Sequence, residues 1–344
     1  MSRWTNFSID ERKAMILAVS QAKQIDEAAA EKDWWVTAVL FALFHTRISE
    51  YFLFKGGTSL SKGWNIINRF SEDIDIALSR DFFVNVRKFQ YTGNSFRKQI
   101  QKLRKEAQDY LFGEFKAMLV NKFAELGLDV TVLADNEIPD EDMEPRKIDH
   151  DKDPTVIYVF YPSLYGSKET YAQPVIKIEI SVSSMVEPFE MRRIASLVEQ
   201  VYQGEDVDSD FVQDIPTVSP TRTFLEKAFL LCEELQKEHP RTFRMSRHFY
   251  DLEKLMQTPY CEMALKDITL YLEVVQHRQK FYHVDAEKEM PANIQIVPSE
   301  ALMPSFEADY NEMRKSFIYG QSLGFFELMS RMKELQERFR AINE

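Results

Sequence analysis

The sequence predicts an α/β protein of the α+β kind, in which a small mixed sheet is flanked by helices and followed by a helical carboxyl-terminal region. Two observations predict this class: strand-like alternation lies between helical segments in the first part of the chain, and helical periodicity dominates the rest. With 44% hydrophobic and 28% charged residues, the composition matches soluble globular proteins and argues against a disordered or fibrous chain.

Helices are indicated at both ends of the chain by capping residues and by apolar spacing. Ser8 and Glu11 form a capping box ahead of the first helix, and a second helix covers Trp35–Phe44. Ser219 and Pro220 supply an N-cap and a first-turn proline for a helix that runs to Lys237. Further helices are predicted at residues 60–67, 96–126, 244–256, 262–282 and 307–344.

Strands are indicated by short apolar or alternating runs. Tyr51–Phe54 is an apolar aromatic run that ends at Gly56, which predicts a buried strand entering a tight turn. Asp73–Leu78 and Val175–Val182 alternate polar with apolar residues, so each predicts a strand with one face in the core. Two more strands are predicted at residues 128–133 and 155–161, separated by an acidic surface excursion.

The length of the chain and its sequence features predict its domain organisation and its cellular location. At 344 residues the chain exceeds one average domain, and the change of composition predicts a sheet-bearing catalytic domain at residues 1–205 and a helical domain at 206–344. The longest apolar run, Trp34–Phe44, has about half the residues that a membrane span needs. With no apolar leader and only two cysteines, the sequence predicts a cytoplasmic protein without membrane attachment.

The formal net charge of −12 would repel nucleic acid, but the charge is unevenly distributed. Basic residues outnumber acidic ones between Arg80 and Lys122. This segment is either a surface that faces RNA or an ordinary solvated helix face.

Two carboxylates stand out in the strand predicted at Asp73–Leu78. Asp73 and Asp75 are two residues apart, so in a strand both project from one face, where their repulsion is costly unless a cation lies between them. Mg²⁺, or Mn²⁺ in its place, fits this pair because it takes oxygen ligands and completes its shell with water and substrate phosphate. The alternative is a half-exposed strand whose aspartates are solvated.

Two further features fit phosphate chemistry. The Gly56-Gly57-Thr58 turn removes side-chain bulk, presents backbone N–H donors at a helix start and adds a hydroxyl group. In the strand at Val175–Val182, alternation places Lys177 and Glu179 on one face. Glu179 would be the third carboxylate beside the aspartates, and Lys177 would hold a phosphate as a point charge. A plain turn and a solvated sheet face are the alternatives.

These features together match the needs of nucleotidyl transfer: a grip on a triphosphate, divalent ions that neutralise the reacting phosphate, and a group that orients the attacking hydroxyl. The sequence also resembles the AbiEii/AbiGii-type nucleotidyltransferase toxin family. The residues that carry the resemblance are Glu31-Lys32-Asp33, Phe54-Lys55-Gly56-Gly57-Thr58-Ser59-Leu60 and Arg69-Phe70-Ser71-Glu72-Asp73-Ile74-Asp75, followed by Leu225-Glu226-Lys227-Ala228 and Arg247-His248-Phe249-Tyr250-Asp251-Leu252.

The resemblance implies a fold similar to the DNA polymerase beta-like nucleotidyltransferases. It implies Asp73 and Asp75 as catalytic metal ligands, and Glu179 is expected to join them as the third catalytic residue and metal ligand. It implies a nucleotide-binding set of Lys55, Gly56, Gly57, Thr58, Ser71, Lys177, Glu226, Lys227 and Asp251. Glu226 is the alternative third acidic residue, and strand alternation favours Glu179. Many family members have aspartate where this chain has His248, so within that motif only Asp251 is carried over.

The expected activity is attack of an acceptor hydroxyl on the α-phosphate of a nucleoside triphosphate, with release of pyrophosphate. The resemblance implies the toxin of a toxin–antitoxin or phage-defence system, an RNA acceptor such as tRNA, and a cognate antitoxin as partner. Two other functions use the same residues: a metal-dependent phosphohydrolase with water as acceptor, and a catalytically silent nucleotide-binding module.

Overall fold

The structure is a computed structural model that describes residues 3–71, 73–140, 144–166, 173–203 and 211–342. The chain forms two compact units. The first contains Met1–Gly63 and Ser71–Thr217, and the second contains Trp64–Phe70 and Val218–Glu344. The predicted domain boundary between residues 205 and 206 lies outside the described residues, as does Glu72 of the aspartate motif.

The first unit contains the sheet and its flanking helices. Its helices are α1 (Ile9–Lys23), α2 (Glu27–Phe44), α3 (Gly56–Lys62), α4 (Phe96–Tyr110), α5 (Lys116–Leu126) and α6 (Leu197–Val201). Its strands are β1 (Phe52–Lys55), β2 (Asp73–Leu78), β3 (Thr131–Ala134), β4 (Thr155–Phe160), β5 (Val175–Ser181), β6 (Phe189–Ile194) and β7 (Gln213–Val218). The predicted mixed α/β class is confirmed.

The sheet has seven strands in the order β3-β4-β5-β2-β1-β7-β6. Strand β2 lies near its middle, antiparallel to β1 and parallel to β5. Strand β1 is parallel to β7, and β4 is antiparallel to both β3 and β5. Any polar group on β2 therefore has a neighbouring strand on each side, which fixes its position in the sheet.

Local sequence explains how the predicted elements begin and end. Ser8 caps α1 through the predicted capping box with Glu11. The helical stretch predicted at residues 96–126 is interrupted by a π-helical turn at Leu111–Phe115 between α4 and α5. Helix α3 begins at Gly56, inside the predicted turn, and ends at Lys62.

Strands β6 and β7 were not predicted from the sequence. Strand β6, Phe-Glu-Met-Arg-Arg-Ile, is a sheet edge with mostly exposed side chains, so its sequence lacks apolar alternation. Strand β7 contains Pro216, a residue that counts against strand assignment because it cannot donate to a ladder. Tertiary pairing with β1, at Phe54 and Thr217, places β7 in the sheet.

The second unit is helical. Its helices are α7 (Pro220–Leu235), α8 (Ser246–Met256), α9 (Pro259–Lys266), α10 (Ile268–Tyr282), α11 (Ala286–Glu289), α12 (Met303–Ser316) and α13 (Phe325–Arg340). Ser219 and Pro220 begin α7 as predicted. Within the described ranges of the whole chain, every helix is too short or too polar to cross a lipid bilayer.

Candidate active site

The two aspartates of β2 lie on one face of the sheet. Along this strand Asp73 and Asp75 are half-buried, whereas Ile74 and Ile76 are fully buried in the core. The predicted alternation is therefore present in the structure. Two carboxylates separated by one residue project together from a strand that is paired on both sides.

Strand β5 adds two polar side chains to the same face. In the parallel pairing, Asp73 is in register with Lys177, and Asp75 is in register with Glu179. Side chains at paired positions of neighbouring strands share a face. The Lys177 ammonium donates a hydrogen bond to a carboxylate oxygen of Glu179. On the other side of β2, Lys55 is in register with Asp75, so the structure assembles three carboxylates and two lysines on this face.

The electrostatics of Lys177 show that this face is acidic. Partial burial lowers the pKa of Lys177, but the hydrogen bond to Glu179 and the negative charges of Glu179 and Asp73 outweigh it, so the pKa is raised. The ammonium is therefore charged across the physiological range. It balances part of the carboxylate charge on this face.

Gly56 lies against the carboxylate of Asp75. Lys55 of β1 is in register with Asp75 of β2. The next residue, Gly56, has φ of +76°. A Cβ atom at Gly56 would lie 2.0 Å from Oδ2 of Asp75, far inside van der Waals contact. Only glycine fits here, because the backbone needs the left-handed region and the aspartate occupies the space of a side chain.

Thr58 anchors the start of β2 from within α3. It is 1% exposed, and its hydroxyl donates a hydrogen bond to the backbone carbonyl of Asp73 and lies 2.9 Å from Oγ of Ser71. The sequence motif suggested a contact with phosphate for this hydroxyl. In the structure it joins the glycine turn to the aspartate strand, a positioning role that the sequence alone did not indicate.

Lys227 and Asp251 of the second unit form a buried ionic cluster with Arg69. Nε and Nη2 of Arg69 lie 2.6 Å and 2.8 Å from the two carboxylate oxygens of Asp251. Nζ of Lys227 lies 2.7 Å from Oδ2 of the same carboxylate. All three side chains are buried. The sequence motifs contained Arg69, but its pairing with Asp251 was not predicted, because they are far apart in the chain.

Charge compensation sets the ionisation of this cluster. Burial raises the pKa of Asp251, but the charges of Arg69 and Lys227 and their hydrogen bonds bring it far below its usual range. Burial, together with the charge of Arg69, lowers the pKa of Lys227. His248 is neutral at physiological pH because burial, followed by the charges of Lys227 and Arg247, lowers its pKa well below the ordinary value.

Glu226 has a different partner. Its carboxylate pairs with Nε of Arg222 at 3.0 Å, one turn earlier on α7, and its side chain is 30% exposed. Of the two candidates for the third acidic residue, Glu179 is thus the one on the strand next to the aspartates.

The described part of the chain contains no cluster of three or more His, Cys, Asp or Glu side chains arranged to hold a metal ion. Asp73 and Asp75 still provide two neighbouring carboxylates, and Glu179 is paired with Lys177. A hard cation that takes one or two protein carboxylates and completes its shell with water and phosphate fits this set. The donors suit Mg²⁺ or Mn²⁺ better than a metal that needs four protein ligands.

Replacing Gly56 by alanine should destabilise the fold and displace Asp75. The left-handed backbone alone costs an L-residue about 1–2 kcal/mol, and the contact with Oδ2 adds to it. Melting temperatures in EDTA measure the effect. Gly113→Ala is the control, because a Cβ atom there meets no atom within 4 Å. Equal melting of the Gly56→Ala variant and the wild type would contradict the packing described.

Replacing Asp251 by asparagine should cost about 3–5 kcal/mol of stability at neutral pH, because it leaves Arg69 and Lys227 buried without a counter-charge. The depressed pKa of Asp251 stabilises the fold at pH values above the unfolded carboxyl value, near 3.9, and this contribution disappears as pH falls through the folded value. Urea unfolding of both proteins from pH 7 downward should show their stabilities converging in acid. A constant difference across this range would refute the assignment.

Comparison with known proteins adds the family. The family model for the nucleotidyl transferase AbiEii toxin, type IV toxin–antitoxin system, matches residues 38–342. Comparison with curated proteins gave no match. Among solved structures, the chain has a loose similarity to MenT4, a nucleotidyltransferase toxin from Mycobacterium tuberculosis H37Rv, with 14% identity and a TM-score of 0.43 over 96% of this chain and 99% of that one. Because the family model spans most of its length, this chain belongs to the AbiEii family of nucleotidyl transferase toxins and is a nucleotidyltransferase.

Proposed function

We propose that the protein is a metal-dependent enzyme that transfers a nucleoside monophosphate from a nucleoside triphosphate to a hydroxyl group of RNA, with tRNA as the acceptor class. The observation that carries this proposal is the shared sheet face of Asp73, Asp75 and Glu179 beside the Gly56 turn. Carboxylates on a rigid strand next to a tight glycine turn provide a metal site and room for a triphosphate.

Asp73 and Asp75 would hold Mg²⁺ or Mn²⁺, with Glu179 as the third acidic residue. The ion would neutralise charge on the reacting phosphate groups. The register of Asp75 with Glu179 supports this choice over Glu226, which pairs with Arg222 in the second unit. The Lys177 ammonium, which contacts Glu179, would be able to exchange that contact for a phosphate oxygen.

The remaining residues would bind and orient the nucleotide. Gly56 and Gly57 bring backbone N–H groups to the phosphates, with Lys55 on the same sheet face as Asp75. Thr58 and Ser71 hold the turn against β2, as their mutual contact supports. Nucleotide binding by Glu226, Lys227 and Asp251 of the second unit stays a prediction of the family resemblance.

The reaction is a displacement at the α-phosphorus. The acceptor hydroxyl oxygen forms a bond to the α-phosphorus, and the bond between that phosphorus and the bridging oxygen of pyrophosphate breaks. The hydroxyl proton passes to one of the carboxylates on the sheet face, and pyrophosphate leaves with the bridging oxygen. Electrostatic stabilisation and alignment supply most of the rate enhancement in such transfers.

Family membership suggests an antitoxin partner for the protein. We propose a cognate antitoxin that acts in the cytoplasm, where triphosphates and tRNA are both present.

Incubation with each α-labelled triphosphate, Mg²⁺ and total cellular RNA tests the function directly. A labelled RNA species on a gel is the expected result. Free labelled monophosphate without labelled RNA would indicate a phosphohydrolase, and nucleotide binding without pyrophosphate release would indicate a silent module. Labelled protein alone would overturn RNA as the acceptor.

Replacing Asp75 by asparagine tests whether this side chain is a metal ligand or a structural carboxylate. Since like charges on this face destabilise the metal-free fold, the variant should melt in EDTA at the wild-type temperature or above it. It should lack the extra stability that Mg²⁺ and triphosphate give the wild type, and it should not transfer nucleotide. Asp129→Asn, at an exposed position of the same unit, is the control. A variant that melts several degrees lower in EDTA and still transfers would exclude Asp75 as a metal ligand.

The exposed lysines of α4 provide a test of RNA binding. In the structure several cations of the basic segment are paired, among them Arg87 with Glu114 and Lys122 with Glu125. Lys98, Lys102 and Lys105 are exposed on α4. Changing these three to glutamate should weaken RNA binding and flatten its salt dependence, because fewer counterions are released.

The matched control for this experiment changes three exposed lysines of the second unit to glutamate. They are Lys266, Lys288 and Lys333. Fluorescence anisotropy at a series of salt concentrations measures both affinity and slope. If the α4 variant keeps the wild-type affinity and slope, α4 is a solvated face.

A further inference from the structure

The sheet face that carries the aspartates continues across β5 onto β4. Strand β4 is antiparallel to β5, with Tyr158 in register with Lys177 and Phe160 in register with Val175. Because Lys177 is itself in register with Asp73 of β2, Asp73, Lys177 and Tyr158 form one row across three neighbouring strands. Side chains in such a row share a face, and each strand lies about 4.8 Å from the next. A carboxylate, an ammonium group and an aromatic ring therefore follow one another on this face.

This face opens to solvent toward the end of the sheet at which β2 begins. Along β4, Val156 is 5% exposed, Tyr158 is half-buried and Phe160 is 36% exposed. Strand β4 runs antiparallel to β5, and β5 runs parallel to β2, so the exposed end of β4 lies on the side of Asp73, the first residue of β2. The accessible aromatic surface is therefore at the same end of the sheet as the first aspartate.

Contacts of its hydroxyl and of its ring hold Tyr158 in place. The hydroxyl donates a long hydrogen bond, 3.4 Å, to Oδ1 of Asp135. That carboxylate is buried, and it also pairs with Nζ of Lys152 at 2.9 Å and with Nη1 of Arg146 at 3.4 Å. The ring of Phe160 lies beside that of Tyr158, with 6.4 Å between the centroids and 30° between the planes. A ring held in this way loses little conformational freedom when a flat ligand packs on it.

Lys177 lies between this ring and the aspartates, and its side chain is 35% exposed. Burial lowers the pKa of its ammonium, whereas Glu179, Asp73 and the hydroxyl of Tyr158 raise it, so the ring is close enough to act on this charge. A phosphate bound by Lys177 would have carboxylates on one side and the aromatic ring on the other. In a nucleoside triphosphate the base follows the phosphates after one ribose, and the row offers its groups in that order.

We propose that Tyr158, with Phe160 beside it, stacks against the base of the bound nucleoside triphosphate. This subsite rests on the proposed function, in which Lys177 contacts a phosphate, and it adds a place for the base. Every nucleobase has a flat π face on which an aromatic side chain can stack, so the platform accepts any of the four bases. The ring lies one strand beyond the residue that would hold phosphate, which favours the triphosphate over the acceptor as its ligand.

Isothermal titration of the full chain in Mg²⁺ without RNA measures the contribution of the ring. The probes are ATP, GTP, CTP and UTP, together with inorganic tripolyphosphate, which has the phosphates but no base. Tyr158→Leu should weaken binding of the tightest nucleoside triphosphate about tenfold and leave tripolyphosphate binding unchanged, because stacking requires a base. Tyr158→Phe keeps the ring and should bind as the wild type does. Phe189→Leu is the control, because Phe189 is 39% exposed on β6, at the opposite edge of the sheet.

Three results would overturn the platform and, if the wild type labels RNA, leave the proposed function standing. In the first, Tyr158→Leu binds the triphosphate as tightly as the wild type does, or Phe189→Leu binds it as weakly as Tyr158→Leu does. In the second, Tyr158→Leu loses tripolyphosphate binding to the same extent, which would place the effect at the phosphates. In the third, Tyr158→Leu weakens only RNA binding in the anisotropy assay, which would show that the ring stacks on the acceptor. If the wild type binds none of the four triphosphates and labels no RNA, both proposals fail.

Discussion

The candidate active site depends on the placement of like charges side by side in the middle of the sheet. Asp73 and Asp75 project from β2, and β5 adds Glu179 in register with Asp75. Strands on both sides prevent β2 from moving the carboxylates apart. Carboxylates held side by side repel one another, and a bound cation relieves that repulsion. A fold that keeps such a cluster on a rigid element is suited to binding a divalent ion.

The residues around the cluster are constrained by it. Residue 56 must be glycine because the carboxylate of Asp75 fills the space of a side chain. The hydroxyl of Thr58 donates a hydrogen bond to the backbone carbonyl of Asp73. In the second unit a carboxylate has cations as neighbours. There Asp251 is buried between Arg69 and Lys227, and its negative charge is fully matched. The first arrangement brings carboxylates together on a half-buried sheet face, whereas the second places one carboxylate between two cations in the interior.

Much of this site could be predicted from the sequence, because strand alternation is a local property. The faces of Asp73, Asp75, Lys177 and Glu179 follow from period-two patterns, and the structure has them as predicted. The mixed fold followed from the same patterns. Edge strand β6 and the proline-containing β7 were missed because tertiary pairing, not local sequence, makes them strands.

The other features that the sequence did not predict also depend on long-range contacts. Arg69 and Asp251 lie on separate motifs, and no local pattern shows that a bidentate ion pair joins them. The internal bonding of Thr58 depends on how closely α3 packs against β2.

The central claim is that Asp73 and Asp75 together hold a divalent ion. The most direct measurement is anomalous diffraction from crystals grown with Mn²⁺ and a non-hydrolysable triphosphate. The account predicts an anomalous peak about 2.1–2.2 Å from carboxylate oxygens of both aspartates, in contact with a phosphate oxygen. A bound triphosphate with its Mn²⁺ away from these two side chains would contradict it.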